Sequence, residues 1–328
     1  MGNRMTLGVL LCLTAVSSWG GMFPVMEHAL RFMDPFYLTM VRYGIASLLF
    51  LSMLYASEGR RALATEGRAA SLWVFGSMGF AGFGFLVFFG QQKISGHEGV
   101  VNAAVIMATM PLMSAIVTWL TSGKRPTTFT LAAIVLAFIG VFLVVTKGDI
   151  RLLKSMDSRF LADLAILAGA FCWVFYTWGG SRFSEWSPLR YTALTCALGT
   201  ITVAGLTGFG TAAGWLHVPH GSQLHSVAWD LGYMVMVAGI FGVFAWNAGN
   251  RLLGSVNGVL FINLVPVVAL AISVISGEKA SPGELAGALL VIASLVSNNL
   301  LGRPEFRFAL VRLSGLGRNE GEGAGLDN

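Results

Sequence analysis

The sequence predicts an all-α integral membrane protein of ten transmembrane helices, built as two inverted five-helix repeats. Composition is the first observation behind this: of 328 residues, 55% are hydrophobic and 11% charged, where a soluble domain carries about 25% charged residues. Long apolar runs without a charge are the second, because such runs need a solvent as apolar as they are. The third is a stretch that occurs twice. Residues 99–121 read GVVNAAVIMATMPLMSAIVTWLT and residues 254–276 read GSVNGVLFINLVPVVALAISVIS. Each opens on a glycine (Gly99, Gly254), carries an asparagine (Asn102, Asn257) and then a proline (Pro111, Pro266) at matching spacing. A Gly-plus-charge turn, a second proline (Pro126, Pro282) and another apolar run follow in both copies.

Taken in order, the predicted spans are 5–26, 35–56, 71–91, 100–121, 128–146, 160–179, 189–210, 228–249, 256–276 and 283–301. The first is too long for a signal-peptide core, lacks a convincing cleavage site, and is read as a retained span. The second and seventh begin with Pro35 and Pro188, a residue suited to a helix's first turn. The third ends GFLVFFGQQK and the eighth GVFAWNAGNR, while the first and sixth share a tryptophan, Trp19 and Trp173. The fourth and ninth carry Pro111 and Pro266 in mid-span, where proline removes a backbone hydrogen bond and bends the helix. The units are thus 1–146 and 160–302, joined by the polar segment 147–159. A tail follows at 303–328, basic and amphipathic to 313, then Gly- and Glu-rich in the manner of disordered chains. Five spans is an odd number, so the second copy enters the bilayer from the opposite side.

Charge distribution favours both termini in the cytoplasm. The segments then inside hold Arg4, Arg60, Arg61, Arg68, Lys124, Arg125, Arg182, Arg251, Arg303, Arg307, Arg312 and Arg318. Those outside hold Arg31, Lys93, Lys279 and the cluster Lys147, Arg151, Lys154 and Arg159, which runs against the rule.

Inside the spans, chemistry is sparse. The 16 acidic residues lie in loops, in the tail or near span ends. Arg42, two turns into the second span, is the clearest charge at membrane depth, where charge is costly and usually functional. Two roles are open to it: an anchor pairing with Glu27 or Asp34, or a contact for a substrate carboxylate. The lack of a mid-membrane carboxylate favours facilitated diffusion or exchange over strict proton antiport. Asn102 and Asn257 either cap their helices or line a polar cavity. Aromatic residues gather on the first, third, sixth and eighth spans: Trp19, Phe23, Phe80, Phe83, Trp173, Tyr176, Phe241 and Trp246. Several sit beside glycines, as in GFAGFGF, a pattern suited to a wall with room for an apolar metabolite or a cation held over ring faces. These residues, with Arg42, Asn102 and Asn257, are the candidate substrate-binding set. Pro111 and Pro266 are the candidate gating kinks, since paired broken helices point to a transporter's binding site.

Other classes find little support. His217, His220 and His225 match no metal-ligand spacing. Cys12, Cys172 and Cys196 lie in apolar runs and read as small buried hydrophobes. Nothing resembles a Walker loop, a Ser/His/Asp arrangement or a metalloprotease helix, so neither enzyme activity nor a cofactor is expected. No basic stripe with interleaved aromatics suggests nucleic acid.

The two five-span units, the SSWGG of the first span, the DPFYLTMVRYGIASLLF of the second and the paired proline spans resemble the drug/metabolite transporter superfamily, EamA type, over about residues 5–302. The resemblance implies inverted symmetry around a central cavity and small-molecule movement across a bacterial inner membrane, usually outward. Trp19 and Arg42 match residues often found in the family's first two helices, and spans 1, 3, 4, 6, 8 and 9 would line the path. The second copy departs from the first at Thr195, which stands where Arg42 stands. The expected function is export of amino acids or related metabolites by alternating access, with a small-molecule substrate and the lipid bilayer as partners and a monomer as the working unit. Import or antiport of nucleotide-sugar-like or drug-like solutes is the second reading, and a non-transporting membrane scaffold the third.

Overall fold

The computed structural model describes residues 2–93, 106–123, 125–148, 160–275, 277 and 279–298. Every regular element among them is helical. Six helices are long and apolar enough to cross a membrane: Pro35–Glu58, Ala69–Gly90, Phe160–Ser181, Pro188–Ala212, Ala228–Leu253 and Ser255–Ile272. Four shorter apolar helices, Arg4–Gly20, Met110–Ser122, Thr128–Val144 and Pro282–Val296, overlap the remaining predicted stretches. The tail 303–328, most of the connector 147–159 and Asn102 lie outside the described residues.

Helix starts follow from local chemistry. The second helix, α3 (Pro35–Glu58), begins where the Asp34 carboxylate accepts the N–H groups of Phe36 and Tyr37 and Pro35 occupies the first turn. Ser187 does the same for α9 (Pro188–Ala212), accepting from the Arg190 N–H at 2.9 Å. A capping box of Ser281 and Glu284 opens α15 (Pro282–Val296). Thr127 caps α7 (Thr128–Thr146) through the Thr130 N–H.

Four predicted spans are interrupted. The first divides into α1 (Gly2–Gly20) and α2 (Met22–Ala29) at a turn on Gly21. A Cβ there would sit 2.4 Å from the Tyr233 hydroxyl, which donates to the Ser18 carbonyl at 2.9 Å. The third runs as α4 (Ala69–Gly76), a π-helical stretch Ser77–Gly82, and α5 (Phe83–Lys93). The eighth repeats this design: α11 (Ala228–Tyr233), a π-helical stretch Met234–Gly242, and α12 (Val243–Leu253). Such π-helical turns insert irregularity into the hydrogen-bond ladder and gather at functional sites. The ninth is α13 (Ser255–Val259), a 3₁₀ stretch Leu260–Leu264, and α14 (Val265–Ile275).

Helices pair across the two halves. The first, α1, packs along α12, α3 along α9, and α7 along α15. Beside them, α5 packs along α8 (Phe160–Ser181), which also carries α6 (Met110–Ser122), and α1 meets α14. Exchanging the first and second halves turns this set of pairings into itself. Two of the contacts bring backbones together on glycine. A Cβ on Gly76 would fall 2.1 Å from the Thr195 carbonyl oxygen, and one on Gly287 2.5 Å from that of Gly140.

The ends of the bundle are distinct. At one end Gly8 meets Leu253, and the loop 59–68 meets residues 182–190. There the Arg190 guanidinium stacks 4.0 Å over the Trp186 ring and donates to the Ala62 and Ala64 carbonyls and to Glu66. Trp186 also donates to Glu66, at 3.0 Å. These donors, Arg190 first, hold the Glu66 carboxyl below its ordinary range. Arg68 pairs with Glu185 across the same junction. At the other end His28 meets Asp230 at 2.6 Å, and Lys147 approaches Glu284 at 4.0 Å. The histidine segment is also here, with His220 capping a short helix, α10 (Gly221–Ser226). No cluster of metal-binding side chains occurs among the described residues.

Candidate functional site

Where α1, α3, α5, α8 and α12 converge, an internal cavity of about 50 Å³ opens. Of the candidate substrate-binding residues, Trp19, Arg42, Phe83 and Trp173 line it. Met22, Tyr43, Met107, Val243, Ile262 and Val265 complete the wall. By volume it holds about three or four waters.

The irregular turns build this wall. Trp19, at the end of α1, donates its indole N–H at 3.1 Å to the carbonyl of Ala238, which lies in the π-helical stretch Met234–Gly242. Its ring packs edge-on to Trp173 at 5.4 Å and tilted against Trp246 at 5.1 Å. The other π-helical stretch buries Phe80 between Tyr43, at 4.8 Å, and Tyr176, at 5.2 Å. At Leu260–Leu264 the 3₁₀ turn brings Ile262 to the cavity just before Pro266.

Arg42 is 2% exposed. Its guanidinium lies 4.7 Å from the Tyr43 ring centroid, and its Nε and Nη1 have no hydrogen-bond partner. The anchor role through Asp34 fails, since that carboxylate caps α3 instead. The Glu27 side chain lies outside the described residues. Trp173 Nε1 is likewise buried without a partner. Buried polar groups in native proteins are nearly always satisfied, and three unpaired donors at one cavity mark an uncommon arrangement.

A second cavity of about 160 Å³ lies nearer the end that carries Arg251 and Gly254. Its lining includes the polar side chains of Thr177, Ser181, Ser184, Tyr191, Asn247 and Asn250. It stands one helical turn from the first on both α8 (Trp173 to Thr177) and α12 (Val243 to Asn247). Side chains fill the layer between them. Trp246 donates to Thr177 at 3.0 Å, and Asn247 donates to the Tyr176 hydroxyl at 2.6 Å and to Thr192 at 2.8 Å. Tyr191 locks Tyr176 from behind by donating to its carbonyl at 2.7 Å.

The remaining candidates separate. Phe80, Tyr176 and Trp246 support the cavity from behind or close it, rather than forming its lining. Phe241 is a correction: it is 58% exposed, on the outer surface, because the wide π-helical turn rotates it away from the cavity. Asn257 is also exposed, donating to the Leu253 carbonyl and accepting from Asn298, and so serves its helix start rather than the cavity. Asn102 and the Phe23 side chain lie outside the described residues. Pro111 and Pro266 each take the second position of a restarted helix, α6 and α14. The sequence offered no sign of Met22, Met107, Val243, Ile262 or Val265, apolar residues that look the same in a wall as in a core. Tyr43 had one, its place beside Arg42.

Comparison with known proteins is consistent across the chain. The model of the EamA-like transporter family matches twice, at residues 6–146 and 160–300. The uncharacterized transporter YrdR of Bacillus subtilis is 38% identical over 303 residues, 92% of this chain and 94% of its own. A second from the same organism, the uncharacterized transporter YyaM, is 31% identical over 85% of this chain and 88% of its own. A solved crystal structure aligns over 92% of this chain and 99% of its own with a TM-score of 0.71. At 18% identity that likeness concerns the fold alone.

Proposed function

The chain belongs to the EamA-like transporter family, and from that membership we propose that it is a secondary transporter exporting amino acids or related small metabolites across a bacterial inner membrane. The observation that carries this is the pair of cavities separated by the Trp246–Tyr176–Asn247 layer. A cargo site in one cavity, a vestibule in the other and a closed partition between them are what alternating access requires.

Ten helices in two inverted units frame the path. The exchange-symmetric pairing of helices supports this, as do the π-helical stretches at corresponding places in the two halves. The end bearing Arg68, Arg182, Arg190 and Arg251 faces the cytoplasm under the positive-inside tendency, which places both termini there. One helix set rocks against the other about the restarts at Pro111 and Pro266. Pro111 stands in the first turn of α6, where its missing N–H costs no ladder hydrogen bond, and Pro266 follows directly on the 3₁₀ stretch Leu260–Leu264. Among the described residues the cavity wall holds no Asp, Glu or His. Transport therefore proceeds by facilitated diffusion or exchange, and an ion gradient that by itself concentrated cargo in proteoliposomes would contradict this.

Purified protein in liposomes, screened for efflux and exchange against panels of amino acids, dipeptides and related metabolites, tests the proposal. Saturable movement of at least one class is expected. Leakage equal to protein-free liposomes for every class would support a scaffold instead.

A further inference from the structure

We propose that Arg42 and Trp173 form a carboxylate subsite, so that the cargo is a monoanionic organic acid with an apolar body. This rests on reading the central cavity as the cargo site, and within the metabolites proposed above it narrows the cargo to acids that carry no ammonium group.

The cavity has donors without acceptors. Arg42 Nε and Nη1 and Trp173 Nε1 are all buried and unpartnered, and both residues line the same space. A guanidinium cannot shed its charge by deprotonation, so a buried one needs an anion to be compensated. No ion pair joins Arg42 to an acidic side chain among the described residues. A carboxylate meets this need, because its two oxygens match the guanidinium fork, and the Trp173 indole supplies a further donor beside it.

The rest of the wall specifies the body. Trp19, Phe83 and Val243 offer ring faces and aliphatic surface, and no side-chain carboxylate in the described wall would hold an ammonium. An amine would bring a second positive charge beside Arg42. The anionic charge is also single. Thr195 takes Arg42's place in the second half, and its hydroxyl already donates to the Tyr191 carbonyl at 2.6 Å. A dianion would leave one charge unmatched in an apolar cavity.

The test uses the full-length protein in detergent and follows its tryptophan fluorescence with three probes: 3-phenylpropanoate, its carboxamide, and 3-phenylpropylamine. The wild type is expected to bind the acid at least about tenfold more tightly than the amide or the amine, the scale of charge-assisted hydrogen bonds. Arg42→Gln should abolish that preference while keeping amide affinity within about twofold. Should that variant not fold, Arg42→Lys and Trp173→Phe carry the test, each weakening the acid while sparing the amide. A wild type that binds acid and amide alike overturns the carboxylate subsite and leaves the cavity standing as a cargo site. Parallel loss of all three probes in folded Arg42 variants assigns Arg42 a structural role and also overturns the subsite. A wild type that binds none of the three overturns the cargo-site reading itself, and this inference with it.

Discussion

Two tryptophans of the cavity region differ in a way that stability should reveal. Trp246 donates to Thr177, whereas the buried Trp173 indole has no partner. Replacing Trp246 by Phe leaves Thr177 unpaired in the layer and should cost about 0.5–1.5 kcal/mol more than the same change at Trp173. Thermal unfolding in one detergent compares them, and an equal or reversed cost would show that the Trp173 donor is satisfied. Glu66 supports a pH prediction. Its carboxyl is held below the ordinary value of 4.5 by the Arg190 and Trp186 donors. Its contribution to stability is therefore present in full above that value and lost as pH falls through the lowered one. The unfolding midpoints of the wild type and Glu66→Gln should differ near neutrality and converge in acid. A difference that does not change with pH would contradict the assignment. Arg42 was legible in the sequence because charge at membrane depth is rare. Phe241 misled, because a turn of unusual width changes which face a residue occupies, and no residue type marks such a turn.

At the scale of elements, close helix contacts rest on glycine. A Cβ on Gly287 in α15 would lie 2.5 Å from the Gly140 oxygen in α7, while one on Gly205 in α9 would meet nothing within 4 Å. Gly287→Ala should cost about 1–3 kcal/mol through overpacking. Gly205→Ala should instead gain roughly 0.5–1 kcal/mol from helix propensity. The two unfolding midpoints should shift in opposite directions, and a shared direction would contradict the close crossing. Helix starts were the most legible feature: Asp34-Pro35, Ser187-Pro188 and Ser281-Pro282 each pair a side-chain acceptor with a preset φ. The break at Gly21 was not, since it depends on Tyr233, far away in sequence. The paired prolines predicted irregular helices, but the 3₁₀ turn before Pro266 that presents Ile262 to the cavity arises only in packing.

Across the whole molecule, a duplicated sequence becomes a set of contacts unchanged when the halves are exchanged, with a small cavity at their meeting point. The charge that occurs in one half alone, Arg42, makes the cavity asymmetric even though the scaffold around it is not. Alternating exposure of that cavity is the central claim, and Phe83 reports on it because it lines the cavity without joining the hydrogen-bonded layer. The decisive measurement labels a single cysteine at Phe83, in protein whose buried Cys12, Cys172 and Cys196 are replaced, with a membrane-impermeant thiol reagent in oriented proteoliposomes. Labelling from each side in turn, slowed from both by bound cargo, is the predicted result; a cysteine that neither side can label would contradict the account.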